Sequence, residues 1–242
     1  MEKFIDIHFE GFDRKDELVR IVQHKIPCAI SIAPYSLREG GKEYGWYSVE
    51  IIDLIRQALQ NKVILGQQGD IHKCRFNHVF VDPWHENSCL YHEDLMGEEQ
   101  AELMKRGRET LERVFGKSPE IYIPPNHLYN FMTRLIAEEM GFKFFAERGI
   151  SQRKPYQRGK IIVIPEVKIG ENGEIVYIHY DEIAGKKQGY EKAMREATSF
   201  SEIKPEKVSM WDEDRNYEQV LRRKKLRDVV LFPRNLWKMV KR

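Results

Sequence analysis

Cysteine is scarce in this chain. The three in 242 residues, Cys28, Cys74 and Cys89, are too few for a disulfide framework and form no CxxC metal motif. They read as reduced structural thiols of a cytosolic protein. Long hydrophobic runs are missing as well. No apolar stretch approaches the ~18 residues of a membrane span. The opening Met-Glu-Lys-Phe-Ile-Asp lacks a secretory hydrophobic region, so the expected location is cytoplasmic. Excess charge of one sign is also lacking. Forty Lys and Arg face 38 Asp and Glu, and a net charge of +2 argues against a domain devoted to nucleic acid. There is no glycine-rich dinucleotide fingerprint, no internal repeat and no low-complexity tract.

What is present is a globular composition, 41% hydrophobic, in a chain long enough to bury a large core. Phe4 to Phe9 alternates apolar and polar like a strand. After a turn at Gly11, Asp13 can cap a helix carrying Leu18, Val19 and Val22. Ile26 to Ala33 reads as a second strand. A helix over 46–60 follows, with Val49, Ile52, Ile55 and Leu59 on one face, and then a third strand at Val63-Ile64-Leu65. Residues 73–96 form a loop too long for a plain connector. A helix from Gly97 to Phe115 leads to strand Ile121-Tyr122-Ile123, a helix over 128–140 and strand Phe142 to Phe145. Ile161 to Ile164 and Ile175 to Ile178 are two further strands. Strands alternating with helices, without a dinucleotide fingerprint, predict a parallel (β/α) barrel rather than a Rossmann sheet. The barrel is expected over 1–198 and a basic helical extension packed on it over 199–242.

In a parallel barrel, chemistry gathers at the C-terminal ends of the strands. Strand one brings His8, Glu10 and Asp13 there, and strand three delivers Gln68, Asp70 and His72. The double proline 124–125 is followed by Asn126 and His127, and the last strand ends at His179 and Asp181. His8, Asp13, Gln68, Asp70 and His72 are candidate metal ligands. The 73–96 loop holds Trp84, His85 and Glu86. They read either as a lid that stacks on a sugar and grips its hydroxyls or as a solvated loop anchored by Trp84. Asn126 and His127 are candidates for shaping a substrate pocket. From Leu221 to Arg242, nine Lys or Arg residues alternate with Leu, Val, Phe and Trp and only one acid, Asp228, intervenes. This segment suits a packed helix with snorkelling lysines or a peripheral contact with an anionic membrane.

The order of these parts resembles the polysaccharide deacetylase superfamily, as a divergent branch. The resemblance rests on the strand running 27–34 to Pro34, on Gln68-Gly-Asp-Ile-His72, on Phe115-Gly-Lys-Ser-Pro-Glu-Ile-Tyr-Ile-Pro-Pro125 with Met140-Gly-Phe, and on Val176-Tyr-Ile-His179. It covers about residues 4–182. It implies a distorted (β/α) barrel of about seven strands and a metal-dependent hydrolase acting on acyl groups of amino sugars or related amides. It also implies a divalent metal, zinc by preference, and a carbohydrate or amide substrate. Position by position, Glu10 falls at the base, Gly11 at the metal-binding Asp, Gln68 and His72 at the two metal histidines and His179 at the acid. Gly11 offers no side-chain ligand and Gln68 only a carbonyl oxygen. The alternative is therefore a catalytically degenerate barrel serving as a carbohydrate-binding or regulatory protein.

Overall fold

A computed structural model describes residues 3–9, 15–38, 43–70, 97–127, 129, 131–149, 153–179 and 182–207. Strand β1 (Phe4–Phe9) is flanked in parallel by β2 (Ala29–Ile32) and β8 (Ile175–His179), with His8 in register with both Ser31 and His179. From β2 the ladder runs through β3 (Ile64–Gln68), β4 (Ile121–Ile123), β5 (Phe144–Arg148) and β7 (Ile161–Lys168). Strand β5 pairs with β7 and β7 with β8, so seven parallel strands close into a barrel. A short strand, β6 (Tyr156–Arg158), runs antiparallel to the start of β7 across a turn in which Gly159 takes φ 59°. This hairpin was not foreseen, because Tyr156-Gln157-Arg158 is short and mostly polar.

The barrel has two faces, set by the period of two along each strand. Outward residues such as Ile5, Ile7, Ile30, Ile32, Leu65, Val176 and Ile178 form one core with the surrounding helices. Those helices include α1 (Asp16–His24), α2 (Val49–Leu59) and α3 (Gly97–Phe115). Two more follow, α4 (Phe131–Glu139) and α5 (Lys187–Arg195). The start of α1 falls at Asp16, with Lys15 rather than Asp13 at the N-cap. The buried face of α2 is Ile51, Ile52, Ile55, Ala58 and Leu59, while Val49 in its first turn is exposed. Ser48 caps that helix by accepting from the Ile51 N–H.

Inside the barrel, the N-terminal end is a floor of Phe4, Ala29, Ile121, Ile123, Phe144, Ala146, Ile164 and Ile175. The chain after α5 returns to this floor. Phe200 packs edge-on against Phe4 and Phe144, with ring centroids 5.8 Å from each, and Ile203 joins them. Isolated bridges Lys3–Ala197 and Tyr156–Glu206 fasten the same segment. Part of the stretch set apart as an extension thus closes the barrel from below. The basic segment 221–242 lies outside the described residues. No helix among the described residues is long and apolar enough to cross a membrane.

Candidate active site and metal centre

Above the apolar floor the barrel interior changes character. The next inward positions are Asp6 and His8 on β1, Ser31 on β2, Gly66 and Gln68 on β3, Arg148 on β5, Glu166 on β7, and Tyr177 and His179 on β8. Strand geometry places them: the register that stacks Phe4, Ala29 and Ile164 below puts these residues on the same face above. Asp6, His8 and Glu166 are fully buried, at 0%, 1% and 0% exposure.

The His8 imidazole is the hub. Its Nε2 lies 3.5 Å from Glu166 Oε2 and 3.7 Å from Asp6 Oδ2. These separations exceed hydrogen-bond length. Accordingly Asp6 Oδ2, His8 Nε2 and both oxygens of Glu166 have no hydrogen-bond partner among the described residues. The other oxygen of Asp6 accepts from the Ser31 hydroxyl at 2.6 Å. Gly66 makes that contact possible, since a methyl group there would collide with the Ser31 hydroxyl. Tyr177 stacks on the His8 ring at 5.0 Å, and Arg148 donates to the Tyr177 hydroxyl at 3.0 Å.

His127 enters from the turn Pro125–His127 that follows β4. Its φ is 55°, a left-handed conformation uncommon for a residue with a side chain. Its Nδ1 is buried, without a hydrogen-bond partner among the described residues, and 3.8 Å from Glu166 Oε2. His179, half-buried at the end of β8, sets its ring edge-on to His8 at 5.3 Å.

Charges in this cluster follow from burial and neighbours. Burial would lower the His8 pKa, but Asp6 and Glu166 outweigh it and raise it to about 10. Burial, reinforced by the Asp6 charge, pushes Glu166 up to about 8. Asp6 is held below the usual carboxylate value, because His8 overcomes the effect of burial. His127 falls well below the ordinary histidine value through burial first and the His8 charge second. Such divergence among adjacent groups marks candidate functional sites.

Of the residues singled out in the sequence, His8, His127 and His179 come together here. Gln68 shares the inward face of β3, its Oε1 buried and without a hydrogen-bond partner among the described residues. Asp70 does not join them. Its Oδ1 accepts from Arg38 at 2.7 Å and its Oδ2 from Arg106 Nε at 2.9 Å. From the sequence Asp70 is expected among the metal ligands, whereas here two guanidinium groups occupy both of its oxygens. Glu10, Asp13, His72, Trp84, His85 and Glu86 lie outside the described residues, as does the side chain of Asn126. Sequence reading missed Asp6 and Glu166. Asp6 was passed over as the polar half of an alternating strand. Glu166 lies beyond Ile164, where the apolar run ends, and β7 continues to Lys168.

Two of the three metal positions implied by the resemblance lack a good donor in this chain. Gly11 has no side-chain donor and Gln68 offers only a neutral amide. The Asp6–His8–Glu166 group is a different case: its ligand atoms all lie within 4.8 Å of one another.

No protein-family model matches the chain, and no curated protein matches it in sequence. Solved structures do match its fold. A family 4 carbohydrate esterase from Bacillus anthracis aligns over 84% of this chain and 82% of its own, at 14% identity and a TM-score of 0.50. The fold is that of the polysaccharide deacetylases. A mutant of a CE4 family pseudoenzyme from the same organism aligns over 86% of this chain and 69% of its own, at 11% identity and a TM-score of 0.50. A 4-alpha-glucanotransferase from Thermococcus litoralis also matches the fold. That protein aligns over 83% of this chain and 40% of its own, at 10% identity and a TM-score of 0.53.

Proposed function

We propose that the chain is a hydrolase that removes an acyl group from an amino sugar or a related amide at the C-terminal end of its barrel. The observation that supports this most is the convergence of His8, His127, His179, Asp6 and Glu166 inside a deacetylase-type barrel. Amide hydrolysis needs a base for water, a proton donor for the leaving amine and a positive or donor group facing the oxyanion. His179 is half-buried at the strand end and suits the proton donor. Glu10, two residues beyond His8 in the sequence, is the base that the resemblance implies. The guanidinium of Arg148, held by Tyr177, lends positive charge to the cluster. A divalent ion, zinc by preference, would supply Lewis acidity toward water and the acyl oxygen.

The test is hydrolysis of a panel of N-acetylated oligosaccharides by the full chain and by His179→Gln. The expected outcome is acetate release that falls about 10²–10⁴-fold in the variant. Hydrolysis of none of the panel by protein with its ion in place would sink the reading. A second reading has specific support in Gly11 and Gln68, which replace donors: a barrel that binds carbohydrate without turning it over. Oligosaccharide binding by calorimetry with no acetate release is the result it expects.

A further inference from the structure

We infer that the barrel interior contains a divalent-cation site built from Asp6, His8 and Glu166, at positions other than those the deacetylase resemblance implies. Its catalytic use rests on the hydrolase reading, but its existence does not.

Distances argue first. Two donor atoms each about 2.1 Å from a zinc ion, at tetrahedral angles, stand roughly 3.4 Å apart. His8 Nε2 is 3.5 Å from Glu166 Oε2 and 3.7 Å from Asp6 Oδ2. Those values are too long for hydrogen bonds and close to the spacing of co-ligands.

Energy argues next. Asp6 Oδ2 and Glu166 Oε2 flank His8 Nε2, and these atoms and Glu166 Oε1 are buried with no hydrogen-bond partner among the described residues. Buried polar and charged groups are costly unless they are paired, hydrogen-bonded or coordinate a metal. Here one bound cation would satisfy a lone pair on each of the three side chains at once.

The surrounding groups hold the donors in place. Ser31 occupies only Oδ1 of Asp6, which leaves Oδ2 turned toward His8. Gly66 keeps the space for that hydroxyl, and Tyr177 stacks on His8 to fix the plane of its ring. Partners that orient first-contact ligands in this way are a regular feature of metal sites.

An independent element points to the same place. His127, on the turn after β4, aims a buried, unpartnered Nδ1 at Glu166 from 3.8 Å. It stands outside the group of three mutually close donors. From there it would hydrogen-bond a water on the ion, leaving a three-ligand site with an open position, the pattern of catalytic rather than structural zinc. One imidazole and two carboxylates suit zinc and neighbouring first-row divalent ions.

The experiment uses the full chain, stripped with chelator and reloaded with zinc. Elemental analysis should find one equivalent per chain. It should fall at least tenfold in Glu166→Gln and Asp6→Asn and stay at one equivalent in His72→Ala. Zinc should raise the melting temperature of the unmutated chain and leave that of Glu166→Gln where it was. Because core variants can misfold, the cobalt(II) spectrum of the unmutated chain and of His72→Ala provides a second measurement. Equal, intense visible bands in both support the site. Absence of bands, loss of bands in His72→Ala, or full zinc content in Glu166→Gln and Asp6→Asn overturns it. Acetate release by a chain that takes up no zinc on reloading would refute this inference and leave the hydrolase reading standing. Metal held by Asp6 and Glu166 without hydrolysis would do the reverse.

Discussion

His8 carries its unusual proton affinity only because two carboxylates share its pocket. In chelator-treated protein this has a direct consequence for stability. His8 titrates near 10 in the fold against an ordinary 6.5, and Glu166 near 8 against 4.5. Both folded values lie above the unfolded ones. Each group therefore contributes stability that is complete below its unfolded pKa and is lost as pH rises through its folded pKa. The melting temperature of metal-free protein should fall between about pH 6.5 and pH 10, above the range in which the lowered pKa of His127 acts in the opposite direction. A melting temperature that climbs over that window would contradict the assignment. Cys28 shows the opposite temperament. Burial drives its thiol far above the ordinary range, which fits the inert structural role expected for it.

At the scale of elements, the Asp70 clamp joins three of them. Arg38 follows the turn after β2, Asp70 follows β3, and Arg106 lies on α3. Thr110 adds to the knot by accepting from Arg38 at 2.9 Å. Gly107 lets α3 come close to β3, where Gln67 donates to the Met104 carbonyl at 3.0 Å. Asp70→Ala is expected to cost about 1.5–3 kcal/mol. The lower end is favoured because Arg38 and Arg106 are partly exposed and can turn to water. Urea denaturation measures this, and zinc content should not change, since Asp70 faces arginines rather than the centre. A variant that loses its metal while keeping its stability would restore Asp70 to the ligand set. Much at this scale was legible in the sequence. Strand β1 follows from its alternation and helix α3 from a period of 3.6, while β4 and β8 follow from short continuous apolar runs. The misplaced details have local causes. The first turn of α2 lies beyond the edge of the core, so Val49 points to solvent although it fits the apolar stripe. β6 is held by pairing with β7 and by Glu206, partners that no local pattern reveals.

For the molecule as a whole, the closed ring was readable from the alternation of strands and helices, but the polarity of its interior was not. Hydrophobic-inside reasoning assigns polar strand residues to solvent. In this barrel the inward face is polar over its upper half, so Asp6 and Glu166 sit where the rule expects leucine or valine. His8, His127 and His179 were found because they lie at strand ends, where position alone suggests chemistry. The ring also dictates how the chain acquires its shape. Its first strand finds a neighbour in its last, Phe4 alongside Ile175, and Phe200 then seals the floor. Until that last strand emerges during synthesis, β1 keeps a bare edge along its length. Pairings between such distant residues are slow to form. Closure of the ring is thus a late step that waits for the last strand. A fragment ending at residue 174 should aggregate and unfold without cooperativity, whereas a sharp urea transition in it would show that the open sheet can stand unaided.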